Sequence, residues 1–470
     1  MDWKSFGNWA HRIADWAQEY RENVGDSPVR AQTAPGAVLQ ALPPAPPEAG
    51  EPMERIFEDF ERVVMPGITH WQHPRFFAYF SANAAAPSVL AEFLVAAIAP
   101  NCLIWQTSPA GTEMETRVMD WLRQAIGLPE GFSGVIQDSA STATLAAVLT
   151  MREKALGFTG NSHGLFGRTP LRIYCSSEVH TSIDRAIWIA GIGAENLVRV
   201  PITGPSRGMD PDALRALIAQ DRAAGLQPAG IILCVGATGV GATDPVDAIM
   251  QVAADEGLYT HVDAAWAGSA MICPEFRDMW AGIERADSVV FNPHKWLGAN
   301  FDCSAHFLRS PDDLVRTLAI RPEYLKTHGA DGIINYSEWS VPLGRRFRAL
   351  KLWFLIRSYG LEGLREVLRN HVRWARALHD RLAAEPGFEI VTAPMWSLFS
   401  FRYVPDGAGD LDALNQRLVD AINADGRIYL TQTRVDGALV IRFQAGSFET
   451  TEADVMMALD VIREIAHSLD

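Results

Sequence analysis

Between residues 86 and 350 the chain sets short, nearly unbroken apolar runs between stretches of helical periodicity. The runs fall at 171–175, 197–200, 231–235, 259–262, 288–291 and 305–308. Apolar runs of this length without polar alternation are strands buried on both faces. Such strands belong to a mostly parallel sheet wrapped by helices. The fold class expected is therefore α/β, with this stretch as the large domain. Before it, residues 1–85 read as a helical segment. Phe6, Trp9, Ile13, Trp16 and Tyr20 recur at spacings of three and four, then a proline-rich spacer covers 42–50. A second amphipathic helix carries Ile56, Phe57, Phe60, Val63 and Val64 and ends at Pro66-Gly67. A single terminal helix with so bulky a stripe needs a cover, either the rest of the chain or a second subunit. After the large domain, residues 351–470 alternate helix and strand: helices at 361–384, 411–422 and 452–468, strands at 388–391, 398–403, 428–431 and 439–443. That pattern is a small α+β domain.

Composition narrows the partners. The 470 residues carry a formal charge of −15, which excludes a broad phosphate-binding face and hence nucleic acid. The five cysteines, Cys102, Cys175, Cys234, Cys273 and Cys303, are scattered and never form a CxxC pair. They read as buried thiols in a reducing compartment, not as a disulfide framework or a metal site. No apolar run approaches membrane-spanning length, and the N-terminus lacks the order of a signal peptide. A cytoplasmic protein is expected.

In parallel α/β sheets, functional residues collect beyond the carboxyl ends of the strands. Unusual polar residues stand at these ends. Lys295 closes Phe291-Asn292-Pro293-His294-Lys295, just past a buried run, where desolvation lowers an ammonium pKa and suits it to amine chemistry. Asp263 follows 259–262 beside Ala264, Ala265, Ala267 and Gly268, so a carboxylate faces space enough for a flat ring. His180 lies in a Ser/His/Thr/Ser cluster after 171–175, where an imidazole can stack on such a ring. Ser139-Ala140-Ser141-Thr142 opens a helix over 143–155 and suits an anion. Read singly, each has an ordinary structural explanation: a snorkelling lysine, a capping aspartate, a satisfied loop histidine, a plain N-cap. The Gly236–Gly241 loop lacks the Gly-Lys-Ser/Thr ending of a nucleotide-binding loop.

Taken together, His180, His261-Val-Asp263-Ala-Ala and Asn292-Pro-His-Lys295-Trp resemble the group II pyridoxal-phosphate amino-acid decarboxylases, closest to the aromatic-L-amino-acid branch. Stretches such as His73-Pro-Arg-Phe-Phe-Ala-Tyr-Phe80, Ser108-Pro-Ala-Gly-Thr-Glu-Met-Glu115 and Pro342-Leu-Gly-Arg-Arg-Phe-Arg348 extend the likeness over nearly the whole chain. The resemblance implies the type I fold of pyridoxal-phosphate transferases, as a homodimer with N-terminal helices exchanged and the active site at the subunit interface. It implies that Lys295 carries pyridoxal 5′-phosphate, Asp263 pairs with the ring nitrogen and His180 stacks on the ring. Thr238 would lie near the 3′ oxygen, while Ala140, Ser141, Asn292 and His294 would hold the phosphate. Tyr324 would be the loop tyrosine that protonates Cα after carbon dioxide leaves. No metal is implied.

Substrate choice is less constrained. Trp71, Tyr79, Phe80, Ala82, Leu103 and Trp105 resemble ring-lining positions, though core packing uses such residues as readily. Gly344 stands where relatives that take histidine or a phenol often carry serine. Ala82 and Ala86 replace a threonine and a tyrosine of the animal enzymes, which favours phenylalanine or tryptophan over dopa. Arg345, Arg346 and Arg348 read as ion-pair partners. The expected activity is decarboxylation of aromatic L-amino acids. The alternatives are a histidine, glutamate or cysteine sulfinate decarboxylase, an aromatic aldehyde synthase, an aminotransferase, or a binding module on a retired fold. Aldehyde producers typically change the loop tyrosine or the stacking histidine, and this chain retains both.

Overall fold

The computed structural model describes residues 2–320 and 332–469. The chain divides into two compact units, Ala82–Arg369 and Met1–Ser81 with Asn370–Asp470. The N-terminal segment thus shares a unit with the C-terminal stretch.

The first of these units is built on a seven-stranded sheet. Its strands are β1 (Ser133–Gln137), β2 (Leu171–Ser176), β3 (Leu197–Val200), β4 (Gln227–Cys234), β5 (Tyr259–Asp263), β6 (Ser288–Phe291) and β7 (Ser304–Leu308). They stand in the order β1-β7-β6-β5-β4-β2-β3. All pairs from β6 to β3 are parallel, whereas β7 pairs antiparallel with both β6 and β1. Two reversals restore direction, so the carboxyl end of β1 lies at the same sheet edge as those of the parallel strands. Every residue of β5, β6 and β7 is buried, as strands covered on both faces must be. The helix Ala140–Ala155 packs Val148 and Met151 against Ile173 and Ile232 of this sheet.

β1 is the strand the sequence did not signal. Ser133, Gly134 and Gln137 break its apolar run, and it sits at the sheet edge, where one partner suffices. Gly134 is required by crowding: a Cβ there would lie 2.5 Å from Met119 Cε. The helix expected over 143–155 begins at Ala140, because Ser139 caps it by accepting from the Thr142 amide.

The other unit carries an antiparallel sheet of four strands, β8 (Phe388–Met395), β9 (Leu398–Tyr403), β10 (Thr431–Val435) and β11 (Ala438–Gln444), ordered β8-β9-β11-β10. Phe399, Phe401 and Phe443 pack with Leu418 and Ile462 of the covering helices, and Phe77 joins them. The Phe77 amide donates to Tyr429 O, and its carbonyl accepts from the Gln444 amide. The strand expected at 428–431 lies later, at Thr431–Val435. The helix expected from 361 is recorded as Ala349–Ala383, interrupted at Gly360, whose φ of 64° and ψ of 169° are not helical.

The N-terminal helix Trp3–Asn23 finds part of its cover within its own chain. Trp16 meets Phe57 and Phe60 edge-on at 6.3 and 5.1 Å, and Trp9 lies 5.8 Å from Phe57. Still, none of its residues is buried, and Trp3 and Ile13 stay exposed.

Candidate active site

The carboxyl ends of β1, β2, β4, β5 and β6 lie on one edge of the sheet, and each leads into residues singled out in the sequence. β5 ends in Asp263, whose carboxylate is buried and accepts the Ala265 amide at 3.0 Å. Burial raises this carboxyl above its ordinary range, against the opposing pull of Lys295 and, more weakly, His180. The same electrostatic contacts act on His180. Its imidazole is lowered by desolvation, with Asp263 opposing and Lys295 reinforcing the shift. The three groups therefore sense one another across a single site. His180 nonetheless keeps an exposed ring, oriented by Ser182, whose hydroxyl lies 2.9 Å from Nδ1.

β6 leads into Asn292-Pro293-His294-Lys295, a single helical turn whose Lys295 amide donates to Asn292 O at 2.9 Å. The two polar side chains of this turn are fixed as donors. Ser304 donates to Asn292 Oδ1 at 2.6 Å, which leaves the NH2 group of buried Asn292 as its donor. His294 Nδ1 accepts the Cys303 amide at 2.8 Å, so the ring proton sits on Nε2. Burial, then the charge of Lys295, hold His294 neutral down to about 3. Nearby, Ala140 and Ser141 occupy the first helical turn after β1, where amides have no carbonyl one turn back to bond. Two neutral side-chain donors and a helix N-terminus form a set suited to a phosphate.

Thr238 stands half-buried in the turn after β4. Gly236 makes that turn possible, with φ of +73° and no room for a Cβ, which would lie 2.5 Å from Ala267 Cβ. Thr243 Oγ1 accepts the Gly236 amide, and buried Asp244 accepts the amides of Met209 and Cys234 at 2.6 and 2.7 Å.

Residues 35–404 match the pyridoxal-dependent decarboxylase conserved domain. The chain belongs to the pyridoxal-dependent decarboxylases. It is similar to phenylacetaldehyde synthase of Arabidopsis thaliana, 37% identical over all of this chain and 97% of that one. It is likewise similar to aromatic-L-amino-acid decarboxylase of Catharanthus roseus, at 36% over all of this chain and 95% of that protein. Among solved structures, Oryza sativa TDC with PLP and tryptamine superposes with a TM-score of 0.96 at 33% identity, covering 100% of this chain and 99% of that one. The fold is thus the type I fold of pyridoxal-phosphate enzymes, and the protein is a carboxy-lyase that uses pyridoxal 5′-phosphate.

The residues present fit that cofactor. A buried carboxylate with a raised pKa lacks a full counter-charge, and a protonated ring nitrogen supplies one. His180 is exposed and Lys295 only partly buried, so a ligand can reach both. Among the described residues no cluster of ligating side chains holds a metal. No described helix is long and apolar enough to cross a membrane.

Ala82 and Leu103 are half-buried, and Gly344 is exposed, with nothing within 4 Å of where a Cβ would stand. In the other unit Trp71 and Tyr79 stack at 5.9 Å and are exposed, while buried Phe80 lies under the Arg442 guanidinium at 5.5 Å. Tyr324 lies outside the described residues. Arg345, Arg346 and Arg348 pair with Glu115, Glu92 and Asp302. Sequence reasoning missed Asn83, a buried residue whose amide side chain donates to Lys295 O and whose backbone amide donates to His294 O. It also missed the stack of Trp266 on Trp296 at 4.8 Å, which backs the lysine turn. A buried asparagine between apolar stretches was the available signal for the first.

Proposed function

We propose that this decarboxylase acts on aromatic L-amino acids, releasing carbon dioxide and the corresponding amine, with phenylalanine and tryptophan favoured over dopa. The observation that carries the reading is the coupling of buried Asp263, Lys295 and the exposed His180 ring at one sheet edge. Bound through Lys295, the cofactor ring supplies an electron sink for the pair left when the Cα–carboxylate bond breaks. Asp263 would keep the ring nitrogen protonated, and His180 would cover one ring face. The Ala140 and Ser141 amides, the Asn292 NH2 group and the His294 Nε2–H would hold the phosphate, and Thr238 would serve the 3′ oxygen. Lys295 would be the amine that holds the cofactor and that the substrate amine would replace. Tyr324, at the family's loop position, returns a proton to Cα, a step typically worth about 10²–10⁴ in rate.

The aromatic preference rests on the activities of the relatives and on the residues at the family's ring-lining positions. A homodimer with the site at the subunit interface is part of the same reading. It is supported by the helix Ala86–Ile98, which leaves Leu90, Phe93 and Ile98 exposed at 61%, 48% and 64%. The open space beside Gly344 is consistent with a neighbour supplied from outside the chain. The compartment proposed is the cytoplasm, where five buried free thiols remain reduced.

Carbon dioxide release measured with phenylalanine, tyrosine, tryptophan, dopa, histidine and glutamate, with added cofactor, tests the proposal. Fastest release from phenylalanine or tryptophan, with amine as product, is expected. Preference for histidine or glutamate, or aldehyde in place of amine, refutes it.

A further inference from the structure

Behind Asp263 lies a polar chain for which the reaction as described has no use. Thr144 Oγ1 is 3.2 Å from His261 Nε2, His261 Nδ1 is 2.8 Å from Ser288 Oγ, and that oxygen is 2.8 Å from His306 Nε2. All four residues are fully buried. Burial drives both imidazoles below their ordinary range, His306 to about 3, so each ring carries a single proton.

The direction of the chain follows from counting protons. Ser288 has one hydroxyl proton and stands between two imidazole nitrogens, with Tyr259 hydrogen-bonded to it as well; with Tyr259 donating, Ser288 donates to one ring and accepts from the other. His306 Nδ1 has no partner among the described residues. A bare acceptor is tolerated in a core better than a bare N–H. The His306 proton therefore sits on Nε2 and is donated to Ser288. Ser288 in turn donates to His261 Nδ1, and His261 Nε2–H donates to Thr144.

The far end of this chain is the informative one. His261 precedes Asp263 by two residues on β5, so both side chains leave the same face of the sheet. Thr144 lies one turn into the helix that begins at Ala140 and Ser141. The His261–Thr144 bond thus joins the strand ending in the ring anchor to the helix beginning at the phosphate anchor.

We propose that His261 is a positioning residue that fixes the spacing between Asp263 and the Ala140–Ser141 amides, so that one rigid cofactor engages both ends at once. This role rests on the reading of the site given above. A polar group that merely fills the core would affect every ligand of the site alike. A spacer acts only on a ligand that spans both anchors.

The test titrates apoprotein with pyridoxal phosphate, with pyridoxal and with inorganic phosphate, following tryptophan fluorescence and ring absorbance. His261→Leu is expected to weaken pyridoxal phosphate about tenfold, the scale of buried hydrogen bonds lost together, with pyridoxal and phosphate alone each changed less than about twofold. Thr144→Val, which keeps the volume and removes only the contact, is expected to show the same pattern at about threefold to fivefold. His261→Gln, whose amide both donates and accepts, is expected to recover part of the loss. Equal losses for all three probes, or an unchanged pyridoxal phosphate affinity, overturns the role. If His261→Leu does not fold, Thr144→Val decides by the same criteria. A parent protein that binds the cofactor without the absorbance of a lysine-linked ring overturns the proposed function itself, and this role with it.

Discussion

Replacing Asp263 with asparagine is expected to move two quantities in opposite directions. The first is cofactor affinity. Asp263 is the buried carboxylate at the end of β5, and asparagine keeps its shape while losing its charge. A hydrogen bond to a charged group contributes about 1.5–3 kcal/mol. At about 1.4 kcal/mol per tenfold, pyridoxal phosphate should bind the variant about 10- to 150-fold more weakly. The second quantity is the stability of the apoprotein. The folded carboxyl titrates above its ordinary value because burial outweighs the attraction of Lys295. A raised folded pKa means the folded state holds its proton longer than the unfolded chain. Stability from this group is therefore fully present below the unfolded pKa and is lost as pH rises through the folded one. At neutral pH the parent bears that cost and the asparagine variant does not. Denaturant midpoints of both apoproteins across a pH series, beside cofactor titrations, provide the assay. The variant should be the more stable apoprotein near neutrality and show a flatter pH dependence. An apoprotein destabilised by the change, together with unaltered cofactor binding, would refute the assignment of Asp263 as a counter-charge awaiting its cation.

Other consequences are equally open to measurement. Tyr324→Phe is expected to lose most amine formation and gain oxygen-dependent aldehyde, read by product chromatography and peroxide release; amine at the parental rate would remove the proton-donor role. Glu115 pairs with Arg345 in full burial and also accepts the Ile136 amide at 2.8 Å. Glu115→Leu should thus cost about 3–5 kcal/mol in denaturant titrations, because it strands a buried cation. Glu115→Leu with Arg345→Met should recover most of that loss, and failure to recover would show that the pair does more than neutralise itself. Leu90→Glu with Phe93→Glu should shift the sedimentation of the protein toward a single chain, while unchanged sedimentation would place the dimer contact elsewhere.

Much of the site is legible in the sequence because unusual polar residues cluster where the parallel strands end. Asp263 closes one strand and Lys295 stands four residues past another, so their location near strand ends follows from the pattern of runs. The supporting residues obey no such rule. Thr144, His261, Ser288 and His306 come from four separate elements and meet only once the sheet order is set. Nothing local in the sequence links them. Asn83 is likewise about two hundred positions from the lysine it holds, with a separation of 212. The edge strand β1 escaped notice because an edge needs less apolar surface, and a Gly-containing run reads as a turn. The kink at Gly360 shifted the apparent start of the long helix.

The tautomer of His294 has a bearing on how the protein would behave in acid. With Nδ1 committed to the Cys303 amide and the ring neutral to about 3, this donor offers the same proton, in the same direction, across the physiological range. The grip it provides cannot switch with acidity. A weakening of this phosphate contact in mild acid would then originate in the ligand, whose phosphate sheds charge near its second ionisation at about pH 6. The proton that sets the phosphate contact would belong to the guest, whereas the one that sets the ring contact at Asp263 would belong to the host.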